Sequence, residues 1–114
     1  MKSETATLLQ PIIESCQRRG LIDEKDLLSL GKTLADPEHQ ALFLNTVMVL
    51  TKKFRVSPGA LPVLFDLIRP FLRNEHADSL GQIFAALTNE SSTRKQSTDL
   101  IIEVLEELLL ETPP

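Results

Sequence analysis

Apolar residues recur along this chain at three- and four-residue steps, in segments separated by Pro, Gly and polar turns. Leu9, Ile12, Ile13 and Cys16 form one stripe. It predicts a helix over Glu4–Arg18, closed by Gly20 in the left-handed conformation. Pro11 either kinks this helix or marks its start. Leu27, Leu30 and Leu34 make the second stripe, over Asp23–Leu34. Asp23, Glu24 and Asp26 occupy its first turn, where the positive end of the helix dipole favours acids. Asp36-Pro37 and Ser57-Pro58 read as helix starts: a polar side chain to accept free amides, then Pro at the first helical position. Helix three then runs to about Lys53, with Leu42 or Phe43, Val47, Leu50 and Phe54 on its stripe. Helix four ends near Arg73. A kink is predicted at Pro70, which lacks an amide hydrogen and meets the carbonyl of Asp66. Asn74 caps helix five, which carries Ala77, Leu80, Ile83, Phe84 and Leu87. Asn89–Thr93 is a loop, helix six covers Arg94–Glu111, and Pro113-Pro114 follow it. The short connections predict antiparallel packing of sequential helices.

The stripes repeat. A shift of 37 residues aligns Leu27 with Leu64 and Ile101, Leu30 with Leu67 and Val104, and Leu34 with Phe71 and Leu108. Glu38-His39 falls on Glu75-His76, and six identities link Leu27–Thr51 to Leu64–Thr88. In that register helices two, four and six are equivalent first helices. Helices three and five are equivalent second helices, and helix one is an unpaired second helix. With Leu64, Phe65, Leu67 and Phe71 on the stripe, Pro70 as the kink and Asn74 opening the next helix, the pattern resembles HEAT or armadillo helical repeats over roughly Asp26–Leu110. The resemblance implies a short stack of helical hairpins that presents a binding surface. The other reading is a compact six-helix bundle with accidental self-similarity. Either way the fold class is all-α, about six helices in a single helical domain, 1–114.

Composition agrees with that class. The chain has 114 residues, no Trp, no Tyr and five Phe, so the aromatic strand formers are scarce beside Leu. Gly31 and Gly81 sit inside predicted helices, either tolerated or placed at close helix crossings. With one cysteine, Cys16, no intramolecular disulfide forms, which fits a reducing compartment. The apolar stretch near the N-terminus is broken by Gln10, Pro11 and Glu14, which argues against a signal peptide. No apolar run is long enough to cross a membrane, and the expected location is cytoplasmic.

Candidate chemistry is sparse. Cys16 lies on an apolar stripe, as expected of a buried inert thiol, and Arg18 and Arg19 are expected to point away from its face. His39 and His76 recur one repeat apart beside Glu38 and Glu75, yet no third or fourth zinc ligand stands out. No Gly-rich phosphate loop and no hydrolase motif occurs. The expectation is a non-enzymatic chain without metal or cofactor.

Two surface features remain. Arg18, Arg19, Lys52, Lys53, Arg55, Arg94 and Lys95 fall in turns on one predicted edge; Asp36, Glu38 and Glu75 fall on the opposite one. Helix dipoles account for most of this placement. A nucleic-acid factor using the basic edge is the weakest functional reading, because the net charge is −4 and no Tyr or Trp is available for stacking. Helix six is more informative. At ~100° per residue its apolar positions cover about 200°, more than a one-sided helix needs. Ile102, Leu105, Leu109 and Leu110, rimmed by Glu106, are therefore expected to meet another surface. The occupant is another protein, making the chain an adaptor or scaffold, or a second copy, making it a small acidic chaperone or regulator that acts as a homodimer; the third reading is purely internal packing of helix six.

Overall fold

A computed structural model describes the backbone of residues 2–111 and the side chains of residues 7 and 9–107. Six α-helices follow in order: α1 (Lys2–Arg19), α2 (Glu24–Thr33), α3 (Gln40–Lys53), α4 (Leu61–Ile68), α5 (Ala77–Asn89) and α6 (Arg94–Glu111). The all-α class and the six helices stand as the apolar periodicity predicts.

The helix ends differ from expectation in informative ways. α1 runs through Pro11 from Lys2, so Pro11 is not its start. Gly20 takes φ 70° and donates its amide to the Cys16 carbonyl at 2.7 Å, the expected left-handed stop. Asp23 caps α2 within a reciprocal capping box: the Asp23 amide donates to Asp26 Oδ2 at 2.9 Å. Asp36 and Ser57 do not cap through their side chains. Each Pro instead opens a 3-10 turn, Pro37–His39 or Pro58–Ala60, and the Asp36 and Ser57 carbonyls accept amides at 2.9 and 3.0 Å. Asn74 likewise is no cap; it lies within the 3-10 turn Asn74–His76, which follows extended Arg73. Pro70 ends α4 rather than kinking it. The chain tightens to 3-10 over Arg69–Phe71, since no amide at 70 can continue the α-helical ladder.

Packing follows alternate helices. α2 lies on α4 and α4 on α6, while α3 lies on α5. Among sequential pairs only α1 with α2 and α5 with α6 pack as closely, so the expectation of neighbour-on-neighbour packing holds at the two ends and not in the middle. Two short strands, unforeseen in the sequence, tie the connectors. β1 (Leu21–Ile22) pairs in parallel with β2 (Arg55–Val56), and the Ser57 amide donates to the Ile22 carbonyl at 3.0 Å.

The core draws Leu27, Leu30 and Leu34 from α2, Phe43, Leu44, Val47 and Leu50 from α3, and Leu61, Leu64, Phe65 and Ile68 from α4. Face-on ring pairs Phe43–Phe71 and Phe65–Phe84, with centroids 5.3 and 5.9 Å apart, join successive segments. The two helical glycines part company. A Cβ at Gly31 would stand 3.0 Å from Leu67 Cδ2, so α2 and α4 cross closely there. A Cβ at Gly81 would meet nothing within 4 Å.

Candidate protein-docking groove

α6 buries little. Among the described residues only Val104 and Ser97 are buried on it, with Leu100 and Ile101 partly covered. Ile102 and Leu105 are 48% and 46% exposed. At the positions 37 residues earlier, Phe65 and Ile68 are 1% and 0% exposed. The positions match and the surroundings do not. In the row α2–α4–α6, α4 has a helix on either side, whereas α6 has only α4 within the row and α5 as its other helical neighbour. Leu109 and Leu110, expected to extend this patch, have side chains outside the described residues.

Beside Leu105 a groove of about 430 Å³ opens between α6, α5 and the α4–α5 connection. Leu72 and Arg73 form one end; Ala77, Gly81 and Phe84 line it along α5. These residues escaped the sequence reading because no single helix carries the groove. One signal was present: the position of Gly81 is that of Leu44 one repeat earlier (81 − 37 = 44), and Leu44 is buried. A large side chain gives way to none where the surface opens.

Charge around the groove is uneven. Arg69 pairs with Glu107 at 3.3 Å and Arg73 with Glu75 at 3.4 Å, so both cations at that end are engaged. Glu103, Glu106 and Asp78 are exposed and form no ion pair among the described residues.

The basic edge is only partly assembled. Lys52, Lys53 and Arg55 line a cleft of about 180 Å³ with Glu90 and Thr93 of the α5–α6 connection. Lys52 donates to Gln82 Oε1 at 2.5 Å, Arg94 to the Thr88 carbonyl at 2.8 Å, and Lys95 pairs with Asp99 at 3.8 Å. Arg18 is exposed at the end of α1. Arg19 turns inward instead, bonding Ser15, Asp23 at 2.8 Å and Asp26 at 3.4 Å.

That inward turn corrects the picture of Cys16. The thiol is buried, as expected, but Arg19 does not point away from its surroundings; it bonds Asp26, which accepts from the thiol. Burial first, then the negative charge and hydrogen bond of Asp26, push the Cys16 pKa from 9.0 up to about 12, against the opposing pull of Arg19. Asp26, in the first turn of α2, is itself buried. His76 packs edge-on to Phe71 at 5.9 Å, and the Nδ1 of His39 is buried without a hydrogen-bond partner among the described residues. No group of three or more metal-ligating side chains occurs among the described residues, and no helix among them is long and apolar enough to cross a membrane.

No family model, curated protein or solved structure matches this chain.

Proposed function

We propose that this chain is a non-enzymatic protein-interaction module, an adaptor or scaffold built as a short HEAT-like stack. It binds through α6 and the adjoining face of α5. One observation carries the reading: Leu105 stands open to solvent at the position where Ile68, one repeat earlier, is fully buried. A face that elsewhere receives the next helix is free at this end. The alternate-helix packing and the parallel connectors support the stack. Ile102 and Leu105 supply the apolar anchor and Glu106 the polar rim, with Leu109 and Leu110 further along the same helix.

A photoreactive residue placed at Ile102 or Leu105, in cells expressing the chain, tests this reading. Discrete protein adducts are expected at both positions, and none at Lys25, which is exposed on α2. Absence of adducts at both positions, or an equal yield at Lys25, removes the proposal. The mass of the adduct separates an unrelated protein from a second copy of the chain.

A further inference from the structure

We propose that the α5–α6 groove takes one amphipathic α-helix from another protein, with apolar residues facing in and basic residues along its flanks. The inference rests on the reading of this chain as a protein-interaction module and specifies the partner's chemistry.

The shape argument comes from the repeat. On α3, the buried Leu44 occupies the position of Gly81, and the segment packed on α3 is a helix, α5. α4, which carries the fully buried Ile68, likewise packs on a helix, α6. Helices therefore cover the equivalent surfaces inside the fold. At the open end Ala77, Gly81 and Phe84 lie on one face of α5 at four- and three-residue steps, a line of about 10 Å. A helix laid along it brings a large side chain of its own into the space that Gly81 leaves empty, between Phe84 and Leu105.

Charge selects among helices. Glu106, next to Leu105 in the chain, and Asp78, next to Ala77, form no ion pair among the described residues, while Arg73, which lines the groove, is held by Glu75 and Arg69 by Glu107. The unpaired charges flanking the groove are negative, so Lys and Arg on the partner's flanks gain from them and acids lose. The same charges disfavour a second copy. Two α6 helices meeting through Leu105 and Ile102 would bring Glu106 of each toward that of the other.

The absence of Trp and Tyr from the chain makes the test clean, since a single Trp on a peptide reports its own burial. The probe is a synthetic helix of about 18 residues, roughly five turns. Its apolar stripe is Leu with one Trp, and its flanks are Lys; a companion peptide carries Glu at the Lys positions. Trp emission gives affinity, and backbone amide shifts of Gly81 and Leu105 give location. The Lys peptide is expected to shift both amides and to bind at least about tenfold more tightly than the Glu peptide. Gly81→Leu, which fills the groove, and Leu105→Arg, which reverses its margin, should each weaken the Lys peptide by about tenfold or more. The second variant stands in if the first does not fold. Equal or tighter binding of the Glu peptide, with Gly81 still shifting, overturns the charge assignment and leaves the groove as a protein site. Lys-peptide binding that ignores both variants, or no binding by either peptide, overturns the groove as a helix site. A dimer of the chain in light scattering that Gly81→Leu dissociates puts a second copy there and overturns the proposal.

Discussion

Leu67 on α4 rests against Gly31 on α2, its Cδ2 only 3.0 Å from where a Cβ would be. The contact separates two glycines that look alike in the sequence. Gly81→Ala should gain the full helix-propensity difference, about 1 kcal/mol, because its new methyl group enters open space. Gly31→Ala has the same propensity term but must displace the end of Leu67, so its urea midpoint should rise less. Gly31→Val should fall below the parent. Equal gains for both alanine variants are the result that removes the close crossing.

Asp26 holds the start of α2 from inside. Its carboxylate accepts the Asp23 amide and the Cys16 thiol and pairs with Arg19. Asp26→Ala removes half of a capping box and leaves a partly buried amide without its partner, which should cost about 1–2 kcal/mol in chemical denaturation. Glu24→Ala, at an exposed position in the same turn, should cost less than about 0.5 kcal/mol.

Cys16 sets an alkaline limit. The folded thiol has a pKa raised from 9.0 to about 12, so the folded state favours the protonated form. Its contribution is fully present below pH 9 and is lost as pH rises through the interval from 9 toward 12. Across that window the parent should lose stability faster than Cys16→Ala, by up to about 1 kcal/mol per pH unit. The same burial predicts slow alkylation. At neutral pH Cys16 should react with iodoacetamide only through opening of the fold, so its rate should rise with urea as the unfolded fraction does.

Ser97 is buried on α6 with a hydroxyl that makes no hydrogen bond among the described residues. The position one repeat earlier is Ala60, also fully buried. Ser97→Ala should therefore be neutral or stabilising by up to about 1 kcal/mol, measured by denaturation midpoint. A loss of more than that would mean the hydroxyl has a partner, and that the repeat does not predict the environment here.

Much of this architecture can be read from the chain because helical stripes are local. Leu27, Leu30 and Leu34 announce α2, and Arg94–Glu111 appears at its expected limits, since three- and four-residue spacing needs no knowledge of the neighbours. The errors lie where a second segment decides. Asp26 reads only as a first-turn acid until Arg19 and Cys16 are placed beside it. Asp36, Ser57 and Asn74 look like caps, yet 3-10 turns satisfy the same amides through the main chain. The exposure of Ile102 and Leu105 follows from the width of the apolar arc on α6. The groove next to them does not, because Gly81, Phe84 and Leu72 meet only after α5 has packed on α3 and α6 on α4.

The pairing of Leu21–Ile22 with Arg55–Val56 carries one more consequence. Two connectors that lie side by side and run the same way mean that the chain passes this edge twice in the same sense. β1 follows α1 and β2 follows α3, so the pairing ties the ends of two helices that are not neighbours in sequence. A change that breaks either connector therefore loosens both helix ends at once.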